Sequence, residues 1–210
     1  TKNKKLLLGQ YAEPAFEYLA HNKWTFTEKV DGTNIRVIIN PEMQSYVPGE
    51  PIQGGITFGG KTDEAQIPAK LVTRLQERFM VIEQRKKLGE MFPSGAVLYG
   101  EGYGAGIQKG GPKYKDHQDF VLFDVRVGNW WLERANVEDV ATKLGLEGVP
   151  VLVEGTLLEM IDWVREGFES RWATIGGERF KAEGIVARPA TELCDRAGKR
   201  IITKLKHKDF

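Results

Sequence analysis

Lys29, in the run Glu28-Lys29-Val30-Asp31-Gly32-Thr33-Asn34, is the residue best set to act as a nucleophile. A lysine can attack a nucleotide phosphate only after losing its proton, and with a free pKa of about 10.4 it almost never does so at neutral pH. Burial and neighbouring cations bring that value down. The segment before it, Trp24-Thr25-Phe26-Thr27, alternates large apolar and small polar residues, the pattern of a half-buried strand. Asp31-Gly32 reads as a turn. Lys29 is therefore expected at the end of a strand, beside a backbone that glycine lets a ligand approach closely. Taken alone, so short a motif more often marks a surface lysine before a turn.

Other segments carry charges that a plain core strand does not need. Glu101 follows the apolar run Ala96-Val97-Leu98 within Tyr99-Gly100-Glu101-Gly102-Tyr103-Gly104-Ala105-Gly106-Ile107-Gln108. Asp124 closes Phe120-Val121-Leu122-Phe123, and Glu183 opens Gly184-Ile185-Val186-Ala187-Arg188. Lys204 and Lys206 are two apart near the end, so on a strand both point to one face. Two same-face lysines repel each other unless an anion lies between them, and near Lys29 they would favour its neutral form. Phe120 and Phe123 face opposite sides of their strand, so only one lines a pocket while the other belongs to the core.

The elements that must position these residues are mostly strands. Ile35-Arg36-Val37-Ile38-Ile39 is rich in β-branched residues and ends at Asn40-Pro41. Residues 41–55 are turn-rich and read as a loop or hairpin, and Ile56-Thr57-Phe58 reads as a short strand. Leu71, Leu75, Arg78, Phe79 and Ile82 recur at helical spacing, with Pro68 suited to the first turn. A second helix is expected from a cap at Asn136 to Gly145, carrying Val137, Val140, Ala141 and Leu144. A third starts at Thr156 with Glu159 three residues on, a capping box, and packs Leu157, Ile161, Val164 and Phe168. Strands dominate and helices intervene irregularly, which argues α+β with antiparallel sheets. The glycines near Gly100 do not open an apolar helix, so a Rossmann reading fails. No P-loop pattern occurs.

In order, these segments give a lysine, a glutamate, an aromatic-aspartate pair, a glutamate and paired lysines. That series resembles the motifs of the covalent nucleotidyltransferases, the polynucleotide ligases and messenger-RNA capping enzymes, and within them the RNA ligase 2 type of ATP-dependent RNA ligase. It spans Lys29 to Lys206. The resemblance implies a nucleotidyltransferase fold of two antiparallel sheets flanking an ATP groove, with peripheral helices and residues 1–210 as a single catalytic domain. It implies Lys29, Lys204 and Lys206 as the catalytic residues, with ATP as the donor of AMP to Lys29. Glu101 then bonds the ribose hydroxyls, Phe123 stacks on adenine with Phe120 as rival, and Glu183 helps hold Mg²⁺, with Mn²⁺ as a substitute. Glu28 reaches the adenine amino group, Asn34 positions an attacking 3′ end, and Lys61 contacts phosphate. The family often has arginine at that last position, so lysine loses the bidentate fork. Gln108 lies seven after Glu101, as in the RNA ligase 2 pattern. Arg36 reads as a structural strand residue.

The bulk numbers bound the rest. The 210 residues carry 41% hydrophobic and 28% charged residues, ordinary for a soluble globular protein. There is no membrane-length apolar run and no signal segment. The single cysteine, Cys194, excludes an internal disulfide and multi-cysteine zinc sites and fits a reducing cytoplasm. The net charge of +1 does not advertise nucleic acid binding. Basic residues do cluster locally: Lys109, Lys113 and Lys115 follow the glycine-rich run, and Arg196, Lys199, Arg200, Lys204, Lys206 and Lys208 crowd the end. Because they abut the motifs, they are expected to meet phosphate. The expected partners are RNA ends, single-stranded or in a nicked duplex, with no membrane and a monomeric chain. DNA nick sealing is the near alternative, and a non-catalytic RNA-end-binding module of the same fold is the alternative of another class. Only four residues follow Lys206. Neither an OB domain nor a helical domain fits there, so the chain reads as either a catalytic core cut from a longer protein or a minimal ligase.

Overall fold

The computed structural model describes residues 5–41 and 55–210. In chain order the elements are α1 (Pro14–Tyr18), β1 (Trp24–Glu28), β2 (Thr33–Ile39), β3 (Ile56–Gly59), α2 (Ala69–Phe79), α3 (Ile82–Met91), β4 (Ala96–Gly104), β5 (Gln118–Val127), β6 (Trp130–Trp131), α4 (Arg134–Leu144), β7 (Glu147–Gly148), β8 (Val151–Gly155), α5 (Leu157–Glu166), β9 (Gly184–Pro189) and β10 (Thr203–Lys206). The class is α+β, as expected, and the chain divides into two compact units. One comprises Thr1–Val30 with Val149–Phe210, the other Asp31–Gly148.

The first unit holds an antiparallel sheet in the order β10-β9-β1-β8. Trp24, Phe26, Ile185, Ala187 and Leu205 on the strands pack with Leu157, Met160 and Val164 of α5. Removing such side chains from water is the main force that holds α5 to the strands. The capping box forms as read: the Glu159 N–H donates to Thr156 Oγ1 at 3.3 Å, and the Thr156 N–H donates to Glu159 Oε2 at 2.8 Å. Phe168 lies past the end of α5 and stacks on Trp163 at 4.0 Å between centroids. The expected half-burial of β1 is corrected, because all five of its residues are buried. As an inner strand it is paired on both edges, and the Thr27 hydroxyl is satisfied by the Val186 carbonyl.

The second unit holds the sheet β3-β2-β4-β5-β6, to which β7 adds one short parallel pairing with β5. Its core gathers Ile35, Val37, Leu98, Phe120 and Leu122 from the strands and Leu71, Leu75, Phe79, Leu88, Val137 and Val140 from α2, α3 and α4. Two helix expectations need correction. The spacing from Leu71 to Ile82 is not one helix: Phe79 makes the last core contact, Val81 turns extended, and Ile82 opens α3 largely exposed. Pro68 sits just before α2. Likewise α4 starts at Arg134 after Glu133, two residues ahead of Asn136, and the Arg134 guanidinium donates to the Phe123 carbonyl. That bond anchors the helix start without a capping side chain. The end at Gly145 is left-handed, as expected. Residues 42–54 of the expected loop or hairpin lie outside the described residues.

Candidate active site

Strand register explains how the first unit assembles its charged group. The Lys29 N–H donates to the Gly184 carbonyl at 3.0 Å, and Lys206 is paired with Gly184 from the other side. Lys29, Gly184 and Lys206 therefore form one row across three adjacent strand paths. Glycine is required in the middle: a Cβ there would come within 2.0 Å of the Leu205 carbonyl oxygen and 2.7 Å of Lys206 Cα. Glu183, one residue before, supplies the anion that two neighbouring lysines need. Its Oε2 accepts from Lys29 Nζ at 2.5 Å and its Oε1 from Lys206 Nζ at 2.6 Å. Burial works against the Glu183 carboxylate, but hydrogen bonds from Lys206 and Lys29 outweigh it and hold its pKa below the usual range. Lys204 shares the face of Lys206 but is exposed and makes no hydrogen bond or ion pair with the described residues.

Glu28 is held inside the first unit. It lies opposite Ile185, on the core side, and is only 1% exposed. The Ser170 hydroxyl donates to its Oε1, and the Arg171 N–H donates to its Oε2 at 2.8 Å. The Ser170 oxygen in turn accepts from the N–H groups of Trp172 and Ala173, at 3.0 and 2.6 Å. Burial raises the Glu28 pKa, and the bonds from Ser170 and Arg171 only partly offset it. Each oxygen of Glu28 is thus already bound inside the protein. Sequence reasoning missed Ser170 altogether, because no local pattern marks a serine that folds a loop around its own oxygen.

The second unit places Asn34 directly opposite Glu101 across β2 and β4, so the two side chains share a face. Glu101 lies inside β4, since pairing continues past it to Gly102 on the β2 side and to Gly104 on the β5 side. Gly32 packs onto that strand. A Cβ there would sit 2.3 Å from the Gly102 carbonyl oxygen and 2.6 Å from Glu101 Cγ. The space that glycine leaves at the turn is therefore taken by β4, a correction to the expected approach of a ligand. Gln108 has a positive φ of 55° and donates to the Gly32 carbonyl at 3.3 Å, bracing the same turn.

Phe120 and Phe123 divide as the strand geometry requires. Phe120 is fully buried and meets Phe79 edge-on at 5.6 Å. Phe123 is half-buried and outside that core cluster. It is the extra residue of a bulge, since Leu122 pairs with Gly100 and Asp124 with Tyr99. Lys61 is exposed. Arg36 donates to the Gly60 carbonyl at 2.7 Å and pairs with Asp63, the structural role read for it.

Several of the basic residues expected to meet phosphate are already paired. Lys115 bridges Asp119 at 2.7 Å and Glu147 at 2.8 Å. Lys199 pairs with Glu13 and Arg200 with Glu192, both at 2.6 Å. Asp119, missed by sequence reasoning, is fully buried and also accepts from Arg78. Burial opposes its charge, yet the bonds from Lys115, the Phe120 N–H and Arg78 bring its pKa down to about 2.

Comparison with known proteins bears on the family and the fold. No curated protein matches the sequence. Solved structures of variants of the Naegleria gruberi RNA ligase share the fold. One with ATP and Mn has a TM-score of 0.65 and 19% identity over 94% of this chain and 55% of that one. One with AMP and Mn has a TM-score of 0.63 and 16% identity over 99% and 57%. An apo variant has a TM-score of 0.63 and 18% identity over 100% and 60%. The chain thus spans a little over half the length of each of these proteins. The family model described as RNA ligase matches residues 22–206, a stretch that holds the Lys29–Glu183–Lys206 group and the Asn34–Glu101 pair alike, and the chain belongs to that family.

Proposed function

We propose that this chain is the nucleotidyltransferase domain of an ATP-dependent RNA ligase that joins 3′-hydroxyl and 5′-phosphate RNA ends through a lysyl-AMP intermediate. The observation that carries the reading is the convergence of Lys29 and Lys206 on Glu183. In the first step Lys29 Nζ, having lost its proton to solvent, forms a P–N bond to the α-phosphorus while the bond to pyrophosphate breaks. In the second, a 5′-phosphate oxygen attacks that phosphorus, the P–N bond breaks and lysine is regenerated. In the third, a 3′-hydroxyl attacks the 5′-phosphorus, loses its proton and expels AMP. Splitting one difficult condensation into such steps is the advantage of a covalent intermediate.

Charge develops on phosphate oxygens in every step, so cations aimed there do most of the work. Lys206 and Lys204, which has no ion pair among the described residues, supply two. Glu183 is a hard oxygen donor that fits Mg²⁺ or Mn²⁺. No group of three or more metal-type side chains gathers among the described residues, and Mg²⁺ accepts such a site because it keeps most of its water. A cation held there supplies neutralisation of the phosphates when bound. Glu101 takes the ribose hydroxyls, Phe123 stacks on adenine, Asn34 orients the 3′ end, and Lys61 meets phosphate. For Glu28 we favour a positioning role over contact with the adenine amino group, since its side chain is buried and bonded to the Ser170–Arg171 loop.

The test is sealing of a 5′-phosphorylated RNA to a 3′-hydroxyl RNA with ATP and Mg²⁺, beside a nicked DNA duplex. RNA joining that Lys29→Ala abolishes is expected. Joining of DNA alone would move the assignment to nick ligation, and binding of ends without joining would support a non-catalytic module.

A further inference from the structure

The sheet face that carries Asn34 and Glu101 changes character farther along. Register sets Ile38, Val97, Arg126 and Trp131 side by side across β2, β4, β5 and β6. Tyr99 stands between that row and Glu101, two residues from Glu101 on β4 and so on the same face. The Tyr99 and Trp131 rings are 5.0 Å apart between centroids, tilted by 45°. The Arg126 guanidinium carbon lies 5.8 Å from the Trp131 centroid. Arg126 donates to Asn129 Oδ1 at 3.0 Å, but its buried Nε has no hydrogen-bond partner among the described residues. Beside the group is a recess of about 310 Å³, lined in part by Ile38, Val97 and Arg126. Tyr99, Trp131 and Arg126 are all half-buried, and none belongs to the apolar cluster on the opposite face of the sheet.

Two half-exposed rings with an arginine over one of them are chemically matched to an unpaired base next to a phosphate. Every base offers a π-face for stacking, and guanidinium adds cation–π and phosphate attraction. Bases within a duplex are already stacked and cannot use such a surface, so the fit is to a single strand. We propose that Tyr99, Trp131 and Arg126 form a stacking platform for unpaired bases of single-stranded RNA flanking the end to be joined. The proposal rests on the end-joining reading above, and its continuity with Glu101 on one sheet face gives it a place beside the reacting nucleotide.

The test titrates a short, dye-labelled, 5′-phosphorylated single-stranded RNA with the parent chain and with Trp131→Leu, Arg126→Gln and Trp130→Ser. Trp130 is the control, since it neighbours Trp131 but pairs with Val127, is 80% exposed and faces the other way. Trp131→Leu should weaken binding by about tenfold, within the range of one lost base-stacking contact. Arg126→Gln should weaken it less and flatten its salt dependence. Trp130→Ser should bind as the parent does. Covalent labelling by ATP at the parent rate in all of them would show that the fold and the AMP chemistry are intact. Parent-like binding by Trp131→Leu, or an equal loss in Trp130→Ser, would overturn the platform while leaving the ligase reading standing. If Trp131→Leu does not fold, ultraviolet cross-linking of the parent chain to the same RNA decides. Adducts on Tyr99 or Trp131 are expected, and adducts confined to other peptides would overturn the proposal. Loss of ATP labelling in the parent chain would instead sink the reading on which the platform rests.

Discussion

At Glu183 one carboxylate serves two lysines, so removing it has consequences that can be measured apart. Glu183→Ala leaves Lys29 and Lys206 facing each other with no anion between them. We expect self-adenylylation to fall by about 10²-fold or more, the scale of one lost charge-stabilising group. Lys206→Ala and Lys204→Ala should each fall by about as much, through the phosphates rather than through Glu183. Single-turnover labelling with ATP checks all three, and parent rates in Lys204→Ala would remove that lysine from the phosphate site. The two phenylalanines separate by the same logic. Phe120→Ala opens a cavity against Phe79 and should cost about 3–5 kcal/mol in a denaturant titration. Phe123→Ala should leave that stability nearly unchanged and weaken ATP binding. The reverse pattern would transfer the stacking role to Phe120.

At the scale of elements, the contact between β9 and β10 sets where Lys206 stands. Gly184→Ala forces a Cβ against the Leu205 carbonyl, and backbone there cannot yield as a side chain would. The two strands must part, Lys206 leaves Glu183, and adenylylation should be lost even though no charged residue has changed. Labelling at the parent rate would show that the β9–β10 register does not hold the site. Local signals of this kind were legible in the sequence. The capping box at Thr156, the β-branched run of β2 and the shared face of Lys204 and Lys206 each follow from neighbours in the chain. What was not legible is non-local. Ser170 reaches Glu28 across 142 positions, and nothing near either residue announces it. The bulge at Phe123 and the break between α2 and α3 depend on partners elsewhere in the unit, so spacing alone smoothed them over.

At the scale of the whole molecule, electrostatics divide between holding the fold and serving chemistry. Asp119 belongs to the first group. Its folded pKa of about 2 lies below the unperturbed value of 3.8, so its stabilisation is present above 3.8 and fades as pH falls through that value towards 2. The shift corresponds to about 2 kcal/mol. Asp119→Asn should lower the melting temperature at neutral pH, and it should lose less than the parent does on acidification. Parallel curves for the two proteins would contradict the role given to Asp119. We propose Lys29, Glu183 and Lys206 for the second group, a reading that was open to the sequence only because several weak motifs occur in one order along the chain. The most direct measurement incubates the chain with radiolabelled ATP or GTP and Mg²⁺, resolves it on a denaturing gel, and locates the adduct by peptide mass spectrometry. The account predicts label from ATP and not GTP, on the peptide containing Lys29, absent in Lys29→Ala and in Lys29→Arg, which cannot supply a neutral amine. Label that persists in Lys29→Ala, or that maps to another residue, would contradict it.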